Sequence, residues 1–230
     1  MSHLTILKKN EVYLQIESEP HVFYELSDQF TFELPGAKFM PQYRNRYWDG
    51  KIRLFNVNNG QIYVGLLDKI QKFCEDHGYS YSFVDNEYYG TPFEINEHIS
   101  FEGVKDYITS ISKYAPREYQ IEGVFDALRH NRRLLISPTA SGKSLMIYSI
   151  VRYYVERGEN TLIVVPTTSL VEQMYKDFAD YGWDVGSFCH KIYAGKERET
   201  DSQVIITTWQ SIYKLPRKYF KRFSVVTVSY

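Results

Sequence analysis

The sequence predicts two units: a small α+β module over residues 1–88, and an α/β unit over 113–230 built on a parallel sheet. A linker and a short helix over 89–112 join them. Three observations carry this reading. Before residue 85, runs of alternating apolar and polar residues are separated by turn signals. Residues 85–100, "DNEYYGTPFEINEHIS", are acidic and turn-rich. Beyond them, short apolar strands alternate with helical patterns, the signature of a parallel sheet with helices on both faces.

The elements follow in order. "VYLQI" (12–16) alternates as a half-buried strand does. Ser18 reads as an N-cap, with Pro20 early in a helix through about Gln29. Asp49-Gly50 reads as a hairpin turn, and "KIRLFNV" continues as a strand. "NNG" (58–60) is a second turn. "LLDKIQKFCEDHG" (66–78) has helical spacing and ends on a glycine, and "YSYSFV" (79–84) alternates again. A short helix is expected near 101–112. Then come helix "PREYQIEGVFDALRHN", strand "RLLIS" and helix 142–157. Strand "TLIVVP", helix 168–180 and strands "QVIITT" and "FSVVTV" complete the series.

Composition excludes some classes. The chain has 230 residues, and 43% of them are hydrophobic, enough for a core in each unit. No run of about 18 apolar residues exists, so no membrane span is expected. The N-terminus "MSHLTILKKN" lacks a signal-peptide core. Cys74 and Cys189 are far apart and fit a reducing cytoplasm. The six histidines show no metal-ligand spacing. Without heptads, a monomer is expected. The net charge of −1 conceals asymmetry. No Lys or Arg occurs between Lys72 and Lys105, whereas "YRNRYWDGKIRLF" (43–55) and "KLPRKYFKRF" (214–223) are basic and aromatic.

The chemistry centres on "LLISPTASGKSLMIYSI" (134–150). Gly142-Lys143-Ser144 matches the end of the phosphate-loop pattern G-x-x-x-x-G-K-[ST], with Ser137 in place of the first glycine. An apolar run precedes it and an amphipathic helix follows. Thr139 and the backbone N–H groups of Ala140, Ser141, Gly142, Lys143 and Ser144 would surround phosphates at the helix N-terminus. Lys143 would reach the β- and γ-phosphates of ATP, and the Ser144 hydroxyl would ligate Mg²⁺.

The neighbouring motifs resemble those of superfamily 2 DNA and RNA helicases. "SPTASGKS" carries the Pro-Thr that those enzymes favour before the loop. "PREYQ" (116–120) resembles their Q motif, which implies that Gln120 reads the adenine edge and that Arg117 belongs to the nucleotide site. "VVPTTSLVEQM" (164–174) resembles motif Ia, and "VIITTWQSI" (204–212) resembles the motif after it. The resemblance implies a RecA-like ATPase domain. It assigns backbone contacts with nucleic acid to Pro166, Thr167 and Thr168, and to Thr208, Trp209 and Gln210. A helix start at Thr168 supplies amides and hydroxyls that hold a phosphate without reading a base. Trp209 has an equal claim to pack under the sheet.

The first unit adds a basic, aromatic hairpin. Arg44, Arg46, Lys51 and Arg53 accompany Tyr43, Tyr47, Trp48 and Phe55, with Asp49 the one acid among them. Cations reach phosphates and rings stack on exposed bases. Taken with "FMPQYRNRYWDGKIRLF", "LLDKIQKFCEDHGY" and "IVVPTTSLVEQMYKDFADYG", nearly the whole chain is similar to the UvsW helicases of large tailed phages. That resemblance implies ATP-dependent remodelling of branched or single-stranded DNA and of RNA–DNA hybrids in R-loops. It implies a role in recombination and repair, in the host cytoplasm.

A superfamily 2 ATPase also needs a carboxylate pair after the strand that follows "TTWQS", to hold Mg²⁺ and orient water. Here "FSVVTV" leads to Ser229-Tyr230, and no D-E-x-H occurs in the sequence. The expectation is an incomplete RecA-like domain, the N-terminal portion of such a helicase, that binds ATP and DNA without efficient hydrolysis. The alternatives are a non-catalytic nucleic-acid-binding module and an unrelated phosphate-loop kinase.

Overall fold

The computed structural model describes residues 2–92, 95–193 and 200–229; Glu94 of the acidic linker and Tyr230 lie outside them. The chain divides into two units, 1–94 and 95–230.

In the first unit, strands β1 (His3–Lys8), β2 (Tyr13–Glu17), β5 (Phe55–Asn56), β6 (Gln61–Tyr63) and β7 (Ser80–Val84) form one sheet in the order β5-β6-β2-β1-β7. β1 pairs antiparallel with β2 and parallel with β7. Leu4, Ile6, Leu14 and Ile16 alternate inward onto helices α1 (Pro20–Gln29) and α3 (Leu67–His77). Gly78 closes α3 in the left-handed conformation, as the sequence implies. The start of α1 differs from expectation. Glu19 is the N-cap, and the Ser18 hydroxyl donates instead to the His3 carbonyl of β1 at 2.7 Å. Pro20, with its fixed φ, sets the helix start.

The stretch 43–55 is not a hairpin. Pro41 opens a single helical turn, α2 (Pro41–Arg44), while β4 (Lys51–Arg53) pairs antiparallel with β3 (Thr31–Glu33). Gly50 does take a positive φ of 79°. Its role is close approach, since a Cβ there would lie 3.0 Å from both Ala37 Cβ and Tyr43 Cδ2. "KIRLFNV" breaks at Leu54, whose N–H donates to the Phe30 carbonyl at 2.9 Å, so β4 and β5 belong to different sheets.

The second unit holds helices α4 (Phe101–Ile111), α5 (Glu118–His130) and α6 (Lys143–Val155), then β8 (Thr161–Val165), α7 (Thr168–Asp180) and α8 (Val185–Phe188). After these come β9 (Cys189–Ile192), β10 (Val204–Thr208), α9 (Trp209–Ile212), α10 (Arg217–Phe220) and β11 (Val225–Val228). The sheet order is β11-β8-β10-β9, parallel throughout. Both faces are covered, as the continuous apolar runs require. Ile163, Val165, Val204 and Ile206 pack with Tyr148 of α6 and Phe178 of α7. Leu162 and Ile205 face the other way, onto Ile212, Tyr219 and Phe220. Residues 133–137 contradict the expectation of a strand and carry no strand pairing. Leu134 is 85% exposed and Ile136 is 91% exposed; only Leu135 packs, against the α5 cluster. An apolar run becomes a strand only through a partner, and β11 pairs with β8.

Candidate functional site

The phosphate-loop residues are drawn together by α5. Gln120 is buried, and its Nε2 donates to the carbonyls of Ser141 (3.1 Å) and Gly142 (3.2 Å). Its Oε1 accepts from the Arg117 backbone N–H at 2.8 Å. Tyr119 adds a third tie, its hydroxyl donating to the Ser141 carbonyl at 2.6 Å and accepting from Arg117 Nη1 at 3.0 Å. Within the loop, the hydroxyls of Ser137 and Ser141 are 2.5 Å apart. The serine in the place of the first glycine thus braces the loop.

Gly142 is the N-cap of α6 and has a φ of 78°. A Cβ there would land on Gln120 Nε2, so glycine is required by both conformation and space. Ala140 also has a positive φ, 63°. Such left-handed positions for residues with a Cβ cluster at ligand clamps. Lys143 turns its ammonium back onto the loop and donates to the carbonyls of Ser137 (3.1 Å) and Pro138 (2.8 Å). Ser144 Oγ accepts from the Tyr181 hydroxyl at 3.2 Å. Burial pushes both that phenol and the Asp177 carboxyl up from their ordinary values. This arrangement fits a nucleotide phosphate chain. Among the described residues the ammonium is held only by neutral carbonyls, a helix N-terminus faces the loop, a hydroxyl stands at its foot, and no side chain can grow from Gly142.

The motifs on the sheet fall into a second group. Thr208 of β10 is in register with Val165 of β8. That pairing brings Pro166, Thr167 and Thr168 beside Thr208, Trp209 and Gln210 at the carboxyl ends of neighbouring parallel strands, where α/β sheets bind ligands. Thr167 caps α7, its hydroxyl accepting from the Leu170 N–H at 3.3 Å. Thr208 Oγ1 lies 2.9 Å from Ser211 Oγ. Trp209 is 55% exposed and does not pack under the sheet; its ring lies 5.5 Å from that of Tyr213. Ser144 is tied to Tyr181 just past the C-terminus of α7, while Thr168 opens that helix. The two groups are thus separated by the 13-residue length of α7, about 20 Å at 1.5 Å per residue.

In the first unit, Arg44 ends α2, Arg46 and Trp48 lie on the loop that follows, and Lys51 and Arg53 lie on β4. Arg53 is committed to Asp49 through bonds of 3.2 and 2.5 Å. The Arg53 guanidinium holds the Asp49 carboxyl down to about 2. The Trp48 indole donates to the Lys51 carbonyl at 2.8 Å. Among the described residues no group of three His, Cys, Asp or Glu side chains is placed to hold a metal ion, and no helix is long and apolar enough to cross a membrane. Tyr119 and Tyr181 are loop contacts that the motif pattern does not name. Tyr119 adjoins Gln120 at the start of α5, so its position was a usable signal, whereas Tyr181 reaches Ser144 only through tertiary packing.

Two family models match the chain: the N-terminal domain of DNA helicase UvsW over residues 4–85, and the res subunit of type III restriction enzyme over 113–226. The ATP-dependent DNA helicase uvsW of Enterobacteria phage T4 is 34% identical over 225 residues, which is 93% of this chain and 43% of the relative. The chain therefore spans less than half the length of that relative. A crystal structure of the UvsW helicase from bacteriophage T4 has a TM-score of 0.82 at 31% identity, covering 98% of this chain and 82% of that one. A second crystal structure of T4 UvsW has a TM-score of 0.83 at 32% identity, covering 98% and 47%. The parallel sheet, the phosphate loop and these matches define the class, a RecA-like domain of the superfamily 2 helicase type preceded by an N-terminal domain. Within that class the chain belongs to the UvsW helicase family.

Proposed function

We propose that the chain binds ATP through Arg117, Gln120 and the loop 139–144, and nucleic acid through the ends of β8 and β10 and the basic surface of the first unit. The observation that carries this reading is the loop itself, anchored by Gln120, narrowed by Gly142, and lined by an ammonium that a triphosphate would draw from neutral carbonyls. Bound Mg²⁺ would neutralise phosphate charge, and the Ser144 hydroxyl is its candidate ligand. The nucleic-acid substrates are branched or single-stranded DNA and RNA–DNA hybrids, remodelled during phage recombination and repair in the host cytoplasm by a monomer. The 230 residues alone hold nucleotide but turn it over near background, because no D-E-x-H sequence occurs among them.

Anisotropy of a labelled forked DNA tests the nucleic-acid half. Binding is expected to fall steeply between roughly 50 and 200 mM salt, as phosphate contacts dictate. Changing Arg44, Arg46, Lys51 and Arg53 together to Ala is expected to weaken it. Equal affinity in that variant would remove the first unit from the interface.

A further inference from the structure

The surface around α2 holds an open hollow of about 780 Å³, lined by Lys38, Tyr43, Arg44, Arg46, Tyr47 and Trp48 together with Asp49. Three features distinguish it from ordinary basic surface. First, Tyr47 is 85% exposed, yet it does not sit on a loose tip. Its N–H donates to the Gln42 carbonyl at 2.9 Å, and the Asn45 and Arg46 N–H groups are bonded back to Pro41 (2.9 Å) and Tyr43 (3.0 Å). The ring is presented to solvent by hydrogen-bonded backbone. Second, Arg46 takes a φ of 60°, a strained conformation for a residue with a side chain, and such strain concentrates at binding sites. Third, the Trp48 N–H is satisfied by the Lys51 carbonyl, which fixes the indole as a wall. The one acid in the lining is neutralised by Arg53, so the charge facing the hollow is positive.

Rings presented beside cations, in a concavity within the size range of small-molecule pockets, match the two halves of an unpaired nucleotide. We propose that this hollow takes one nucleotide of unpaired strand, its base against Tyr47 and Trp48 and its phosphate on Lys38, Arg44 and Arg46. The inference rests on the reading of the first unit as a nucleic-acid surface and deepens it. The unit then recognises the unpaired strand of a branched substrate, where bases are free to stack, over continuous duplex, where they are not.

The test uses the full chain with a labelled single strand and a blunt duplex of the same length, each measured by anisotropy. Tyr47→Ala is expected to weaken single-strand binding roughly tenfold, within the range of base-stacking losses, and to leave duplex binding within about twofold. Tyr47→Phe keeps the ring and is expected to retain single-strand binding. Arg44→Gln with Arg46→Gln is expected to weaken both forms. Equal losses on both forms in Tyr47→Ala, or no loss on either, would overturn the nucleotide hollow while leaving the basic surface standing. Unchanged binding of both forms in the double Arg variant would overturn the underlying reading as well.

Discussion

Gln120 Nε2 lies 3.2 Å from the Gly142 carbonyl, and the space between the two residues leaves no room for a Cβ at 142. This contact couples α5 to the turn that opens α6. Gly142→Ala must either give up the φ of 78° or displace the glutamine. The conformational part alone costs about 1–2 kcal/mol, a fall in Tm of several degrees for a chain of this size. Nucleotide affinity is expected to drop roughly tenfold or more as the loop shifts. Thermal melts and calorimetry with ADP check both outcomes.

Phe178 is fully buried between the sheet and α6, with its ring 5.3 Å from Tyr148 and 6.0 Å from Trp183. Phe178→Ala leaves a cavity in the core of the second unit and is expected to cost about 3–5 kcal/mol. The second-unit transition, followed by near-UV circular dichroism, is expected to move to clearly lower denaturant. The first unit has its own core, and its transition is expected to stay in place.

Asp49 is held at about 2 by hydrogen bonds, first from Arg53. Its folded value is depressed below the ordinary 3.8, so the stability it contributes is present above pH 3.8 and lost as pH falls toward 2. An NMR titration of the carboxyl carbon is expected to show a midpoint near 2, rising toward the ordinary carboxylate range in Arg53→Gln. An unchanged midpoint in that variant would mean another group holds the carboxylate.

Cys74 and Cys189 are buried free thiols, pushed up by burial to about 11 and about 12. At pH 8 very little of either is thiolate, the reactive form. Neither is expected to react with iodoacetamide over minutes in the native chain, and both are expected to react in denaturant. Rapid native labelling of one would show that its unit opens locally.

The sequence made the second unit legible wherever a local signal agreed with the tertiary answer. Helix 168–180 is legible with its observed ends because Thr167 is a capping residue after an apolar strand. β8 and β10 were legible because both of their faces are buried, which demands unbroken apolar runs. The errors share a cause. "RLLIS" has the composition of a central strand, but pairing is a property of neighbours. The 43–55 stretch has a turn at Gly50, yet Pro41 diverts the chain into a helical turn and β4 finds its partner at Thr31–Glu33, outside the window. The loop residues were legible from G-K-S alone. That Gln120 bonds the loop carbonyls, and that Tyr181 reaches Ser144, depends on packing that no local pattern records.

Whether Lys143 and its loop hold the phosphates of a nucleotide is read out by isothermal calorimetry of the chain with Mg-ADP. Saturable binding, weak but measurable, is expected, and it disappears in Lys143→Ala while the melting temperature of that variant stays within a few degrees of the parent. Binding of equal strength in the folded Lys143→Ala chain would contradict it.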